Sequence, residues 1–68
     1  MTIKFDKKFY SLKAVKSAVK KYRNFADFGL KQKKNRIEVN LKNIDKDVSN
    51  VIKDEFCNYV LYSMKILS

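Results

Sequence analysis

The 68-residue chain contains no histidine, no proline, one glycine and one cysteine. A lone cysteine excludes a disulfide within the chain, and without histidine a zinc site built from His and Cys is excluded too. The single glycine cannot form a glycine-rich phosphate loop. No window reaches the roughly 18 uncharged apolar residues of a membrane-spanning helix. A domain this small and without a covalent or metal staple is expected to rely on an aromatic-rich core or on association with another chain.

Acidic residues are also scarce, with seven Asp or Glu against sixteen Lys or Arg and a net charge of +9. Residues 1–42 hold thirteen of the basic and three of the acidic residues, so the positive charge belongs to the first part of the chain. Such a surface favours acidic partners, such as nucleic acid, anionic lipid or an acidic protein. The N-terminus lacks the apolar run of a signal peptide, and we therefore expect a cytoplasmic protein.

Catalytic chemistry would have to come from a few carboxylates and Cys57. Asp54 and Glu55 are adjacent on a predicted helix and point about 100° apart, which indicates a solvated flank rather than an acid–base pair. No histidine is present to activate Cys57, whose apolar neighbours favour a small buried hydrophobic role. We expect no enzymatic activity, no cofactor and no metal site.

Hydrophobic periodicity predicts five elements in the order β-α-β-β-α, forming a single α+β domain over residues 1–68. Alternation predicts a strand over residues 2–9, and Ser11 is a good N-cap for an amphipathic helix of about 12 residues from Leu12. Two further alternating runs predict a hairpin, in whose turn Asn35 is the residue most able to adopt a positive φ. The last helix is predicted over residues 48–67, with Asp45, Asp47 or Ser49 as its cap. Its apolar stripe comprises Val48, Ile52, Phe56, Tyr59, Val60 and Leu67.

A right-handed crossover through the first helix predicts sheet order 1-3-2, a mixed sheet with the third strand antiparallel to both neighbours and both helices on one face. The aromatic residues then fall mostly on apolar faces, where they are expected to form core: Phe5, Phe9, Tyr22, Phe25 and Phe28. The opposite sheet face is expected to meet water through Thr2, Lys4, Asp27, Lys31, Glu38, Asn40 and Lys42.

Two basic groups follow from this arrangement. A stripe on the first helix contains Lys13, Lys16, Lys20 and Arg23, and the hairpin tip contains Lys31, Lys33, Lys34 and Arg36. Together they could contact several phosphates with a steep salt dependence, which makes nucleic-acid binding one functional hypothesis. Solvated lysines are the simpler interpretation. Membrane-surface binding is disfavoured, because the apolar face of the first helix is small and lacks Trp and Phe.

Three segments carry a family resemblance: the helix start Phe9-Tyr10-Ser11-Leu12-Lys13-Ala14-Val15-Lys16-Ser17-Ala18, the strand Ile37-Glu38-Val39-Asn40-Leu41 and the helical run Asp54-Glu55-Phe56-Cys57-Asn58-Tyr59-Val60-Leu61. In this order they resemble the HxsD family of the His-Xaa-Ser system, whose pattern reads strand, YSLEA helix start, hairpin and EFxNxxL helix. Lys13 departs from the pattern, in which an acid is usual. The resemblance implies a small non-catalytic accessory in peptide maturation, whose iron–sulfur chemistry belongs to partner radical-SAM enzymes.

A docking role predicts contacts on the last helix beyond its main stripe. The candidates are Asn58, Leu61, Tyr62 and Met64. Their alternative role is to complete the core or a homodimer. Two hypotheses therefore follow from the sequence, a protein- or peptide-binding module and a nucleic-acid-binding module.

Overall fold

The computed structural model describes residues 1–67, with side chains through Ile66, so the predicted stripe position Leu67 has its side chain outside the described residues. The elements are β1 (Thr2–Asp6), α1 (Leu12–Tyr22), β2 (Asp27–Gln32), β3 (Arg36–Lys42) and α2 (Ile52–Leu67). Their order confirms the predicted β-α-β-β-α sequence of an α+β fold. Within the described part, no helix is both long and apolar enough to cross a membrane.

The three strands form one sheet in the order β1-β3-β2, as predicted. β3 pairs antiparallel with both neighbours, with Ile3 opposite Val39 on one side and Leu30 opposite Val39 on the other. Beyond β1, the Leu41 N–H donates to the Met1 carbonyl at 2.8 Å and extends the same ladder. β1 and β2 therefore run parallel, because α1 carries the chain back before β3 fills the gap between them.

The core lies between one face of the sheet and both helices. Buried apolar residues of β1 and β3 pack in a single cluster with those of α1 and α2: Ile3, Phe5, Ile37, Val39, Leu41, Ala14, Val15, Ala18, Ile52, Phe56 and Val60. Phe56 lies within an aromatic group, with ring centroids 5.4 Å from Phe28, 6.1 Å from Phe5 and 6.2 Å from Tyr22. An aromatic-rich core is thus present in this small domain, as expected from its lack of covalent staples.

Small residues line the contact between the two helices. Ala14 and Ala18 of α1 are fully buried, and so is Ser63 of α2. The Ser63 hydroxyl donates to the Ser17 hydroxyl across the interface at 3.5 Å. At the start of α1, the Ser11 Oγ accepts the Ala14 N–H at 3.1 Å, which confirms Ser11 as the N-cap.

β1 ends at Asp6, three residues before the predicted end. The Asp6 carbonyl accepts the backbone N–H groups of Phe9 and Tyr10, each at 3.0 Å, and its Oδ1 accepts the Lys8 N–H at 2.8 Å. This aspartate-led turn offers the backbone an alternative to the strand. Phe9 is left 69% exposed, so its assignment to the core was wrong, and Phe25 at 38% is only partly covered.

α2 begins at Ile52, four residues after its predicted start. Residues 46–51 form consecutive turns instead, in which the Val48 N–H donates to the Asp45 carbonyl at 3.2 Å. The Asp45 Oδ1 accepts the Asp47 N–H at 2.9 Å, so Asp45 stabilises this turn segment rather than the start of α2. The Ser49 hydroxyl likewise bonds within the segment, to a carbonyl at 3.1 Å. Local side-chain bonds to the backbone again outweigh the helical pattern.

A positive φ occurs at Asn43, which has φ 52°, and not at Asn35. The hairpin closes through the Lys33 N–H, which donates to the Arg36 carbonyl at 2.8 Å, without any left-handed residue in its turn. Asn43 follows β3, and its Nδ2 donates to Asp27 Oδ2 at 2.8 Å. Asparagine tolerates this conformation better than most residues, so the sequence argument had the right residue type at the wrong turn.

Candidate binding surfaces

The outward side of α2 carries three exposed apolar residues and an exposed asparagine, which together we call the α2 face: Asn58, Leu61, Tyr62 and Ile66. Leu61 is 48%, Tyr62 53% and Ile66 57% exposed, and Asn58 is also exposed. Spacings of three and four residues place these side chains next to one another along the helix. Sequence reasoning missed Ile66, although its position four residues after Tyr62 was a usable signal.

Met64, the remaining predicted docking residue, is half-buried and packs against the core. Its Sδ accepts the Ser11 N–H at 3.2 Å and the Ser11 hydroxyl at 3.4 Å. Met64 therefore holds the last turns of α2 against the start of α1. The structure separates it from Asn58, Leu61 and Tyr62, which it brings together on the α2 face.

A row of tyrosine rings connects the α2 face with the core. Tyr59 lies 5.8 Å from Tyr22 in an edge-on arrangement and 5.7 Å from Tyr62, measured between ring centroids. Burial raises the pKa of the Tyr22 hydroxyl, and the neighbouring Glu55 carboxylate adds to the effect. The Lys21 Nζ lies 6.0 Å from the centre of the Tyr59 ring. Tyr62 is thus positioned by aromatic packing as well as by the helix backbone.

The basic stripe of α1 is exposed along its whole length. Its members Lys13, Lys16, Lys20 and Arg23 all face solvent. None of these four side chains has a carboxylate oxygen of a described residue within 4.0 Å of its charged nitrogens, since the one ion pair in the described part of the chain joins Arg36 and Glu38. From Lys13 to Arg23 the stripe spans about 15 Å, because each residue adds about 1.5 Å, and its charges are therefore spread out along the helix.

Two of the predicted hairpin-tip residues, Lys31 and Arg36, belong to the outer sheet face. Arg36 Nε donates to Glu38 Oε2 at 2.7 Å, and this bond holds the pKa of the Glu38 carboxyl below its usual value. Lys4 and Lys31 lie opposite Glu38 on the two neighbouring strands. Glu38 thus offsets the positive charge around it, whereas Lys33 and Lys34 remain at the tip of the hairpin.

The turn after β1 lies against the hairpin tip. The Lys7 N–H donates to the Asn35 carbonyl at 3.1 Å, and Asp6, Lys7, Lys8, Lys34 and Asn35 line one surface depression. We call the turn after β1 and the neighbouring hairpin tip together the basic end, which comprises Lys7, Lys8, Phe9, Lys33 and Lys34. Sequence reasoning did not include Lys7, Lys8 and Phe9 in a site, because it assigned them to a strand. The run Asp-Lys-Lys-Phe-Tyr at residues 6–10 was the sequence signal that could have indicated a turn carrying basic and aromatic side chains.

Most acidic residues lie at the opposite end of the molecule. Asn43 binds Asp27 there, the Asp45 N–H donates to the Phe25 carbonyl at 2.8 Å, and α2 has acids in its first turn. This group comprises Asp27, Asp45, Asp47, Asp54 and Glu55, five of the seven acidic residues. The fold therefore separates charge in space, since the turn after β1 places Lys7 and Lys8 at one end and the segment leading into α2 places its acids at the other.

Cys57 is half-buried and packs against the core. Burial raises the pKa of its thiol, with opposing smaller effects from Lys53 and Asp54. In residues 1–67 no group of three or more Cys, Asp or Glu side chains is arranged to hold a metal ion.

None of the protein-family models, curated proteins or solved structures compared with this chain matches it. Its function must therefore be inferred from the surfaces of the chain itself.

Proposed function

We propose that the chain is a small non-catalytic binding module that docks on a protein or peptide partner through the α2 face. The observation that supports this proposal is the exposure of Leu61, Tyr62 and Ile66 on a helix whose other side is buried in the core. Covering a large apolar side chain completely is worth about 1.5–3 kcal/mol. Three half-exposed side chains thus offer a few kcal/mol to a partner that covers them.

The α2 face suits the centre of an interface better than a whole interface. A typical interface takes about 800 Å² from each partner, or roughly a sixth of the 4939 Å² that this chain exposes. Tyr62 and its apolar neighbours would supply the buried centre, and the polar Asn58 would lie towards the rim. Tyrosine is common among residues that dominate binding energy, and aromatic packing against Tyr59 limits the entropy that Tyr62 loses on binding.

The resemblance to the HxsD family supports one class of partner, a radical-SAM enzyme or precursor peptide of a peptide-maturation system. The iron–sulfur cluster would belong to that enzyme, because such clusters need several thiolates and this chain has one cysteine. The role of this chain is then to bind and orient. A homodimer through the α2 face is the competing arrangement, and it would bring two chains of net charge +9 together.

Site-specific photo-cross-linking in the source cells tests the proposal. A benzophenone amino acid replaces Tyr62 in one variant and Thr2, on the outer sheet face, in a matched control. We expect the variant at position 62 to cross-link one predominant protein, identified by mass spectrometry, and the control at position 2 not to do so. Adding Leu61→Glu to the first variant should remove the product.

Two results would contradict the proposal that the α2 face docks on a protein or peptide other than a second copy of this chain. One is a product at position 62 that consists only of a second copy of this chain, with light scattering showing a dimer. The other is equal labelling from positions 62 and 2, which would mean that the α2 face has no preferred partner.

A further inference from the structure

Phe9 is the most exposed large apolar side chain that the structure describes. Its position does not depend on apolar contacts, because the turn is held by hydrogen bonds from Lys8, Phe9 and Tyr10 to Asp6. The next residue, Tyr10, packs edge-on against Phe5 with 5.0 Å between ring centroids and fixes the far side of the turn. A flat aromatic ring is therefore presented to solvent from a well-supported backbone.

Lysines precede this ring in the turn and lie at the neighbouring hairpin tip, without carboxylate partners among the described residues. In the described part of the chain, Lys7, Lys8, Lys33 and Lys34 have no acidic oxygen within 4.0 Å, whereas the nearby Arg36 is engaged by Glu38. Asp6 lines the same depression, but its Oδ1 already accepts the Lys8 N–H. The bond between Lys7 and Asn35 keeps the turn that carries Phe9 beside the hairpin tip, and Lys7, Lys8 and Lys34 line one depression there.

We propose that the basic end binds single-stranded nucleic acid, with Phe9 stacking on an unpaired base and the neighbouring lysines contacting the flanking phosphates. An aromatic ring within a positively charged surface is the combination by which sequence-tolerant single-strand binders hold their ligand. A duplex does not offer an unpaired base face, so the ring favours single strands. An acidic peptide would match the charge but would leave Phe9 without a stacking partner.

This site differs from the α1 stripe, which offers charge alone. It shares no residue with the α2 face, so the inference goes beyond the proposed docking function and does not depend on it. The acidic residues at the opposite end favour one orientation, because they repel phosphate while the basic end attracts it.

Fluorescence anisotropy tests the proposal with labelled oligo(dT) and oligo(U) of about 12 nucleotides, titrated from low to about 150 mM salt. We expect saturable binding by the wild type to either oligonucleotide, and clearly weaker binding to a duplex of the same length. Phe9→Ala should raise Kd roughly 10-fold or more, since stacking on one base is worth about that factor. Tyr62→Ala, which removes an exposed ring from the α2 face, is the matched control and should leave Kd unchanged.

Paired lysine variants separate the two basic surfaces. The double variant Lys8→Gln with Lys34→Gln should make the slope of log K against log salt less negative by about 1.4, since each phosphate contact with a single strand contributes about −0.7. Lys16→Gln with Lys20→Gln, on the α1 stripe, should change that slope much less. Circular dichroism of each variant checks that it is folded.

Four results would overturn the proposal. These are no oligonucleotide binding by the wild type, equal effects of Phe9→Ala and Tyr62→Ala, equal effects of the two lysine pairs, and binding of labelled polyglutamate as tightly as oligo(dT). The last result would assign the basic end to acidic polypeptides instead.

Discussion

Replacing Phe56 with alanine removes the ring that contacts Phe5, Phe28 and Tyr22 in the core. Phe56 is fully buried, and truncating such a residue typically costs about 3–5 kcal/mol through lost burial and the cavity that remains. A domain of 68 residues has a free energy of unfolding of about 3–10 kcal/mol. We therefore expect Phe56→Ala to remove most of the stability, with Tm lowered by at least about 12 °C if the variant still folds.

Urea denaturation followed by circular dichroism measures the loss, and Phe9→Ala provides a control with the same chemical change. Because Phe9 is mostly exposed, its truncation should alter the free energy of unfolding by less than about 0.5 kcal/mol. Phe56→Leu, which retains much of the buried volume, should fall between the two. A cost below about 1 kcal/mol for Phe56→Ala, or equal costs for the two alanine variants, would refute the placement of these rings.

Three further predictions concern single positions. Ser11→Ala removes the cap that accepts the Ala14 N–H and should cost about 1 kcal/mol in thermal or urea unfolding. Asn43→Ala should be less stable than Asn43→Gly by about 1 kcal/mol, because alanine is strained at a φ of 52° and both variants lose the bond to Asp27. The lowered pKa of Glu38 means that its pairing with Arg36 stabilises the fold above the ordinary glutamate pKa and is lost as pH falls through the folded-state pKa. NMR titration of the Glu38 carboxyl should therefore show a higher pKa in Arg36→Gln.

Each of these three predictions has a matched control. Ser11→Thr keeps a capping oxygen and should recover most of the stability lost in Ser11→Ala. For Asn43, the two substitutions control each other, and equal stabilities would contradict a positive φ there. Lys42→Gln alters a lysine of the same strand that has no ion pair in the described chain, and a shift in the Glu38 pKa as large as that of Arg36→Gln would contradict the role of the hydrogen bond.

The order of elements and the sheet topology followed from local patterns. Alternation marks Ile3 and Phe5 as inward-facing, and the 3.6-residue period places Val15 and Ala18 on the buried side of α1. The handedness of the crossover then leaves few arrangements of three strands. These features are insensitive to small errors in where an element ends, and so the topology was predictable without knowledge of the contacts.

Boundaries and the candidate surfaces were harder to predict. Asp6 and Asp45 each carry a side chain that bonds to backbone N–H groups two residues later, and these bonds ended β1 early and delayed α2. Nothing in the apolar pattern reports such a bond. Phe9 therefore counted as core by alternation although it is exposed. The basic end was predicted only in part, through Lys33 and Lys34, because it combines two segments that are at least 24 positions apart in the chain, from Phe9 to Lys33.

The central position of β3 has a consequence for synthesis. β1 and β2 do not pair with each other, so no strand pairing can form until β3, Arg36–Lys42, has left the ribosome. The β2–β3 hairpin can then close locally, whereas the pairing of Thr2 with Asn40 must join residues 38 positions apart. Non-local pairing slows folding, because loop entropy is lost before contacts form. During elongation, β1 and α1 therefore remain an unpaired amphipathic segment, whose lysines help to keep it from aggregating until its partner strand emerges.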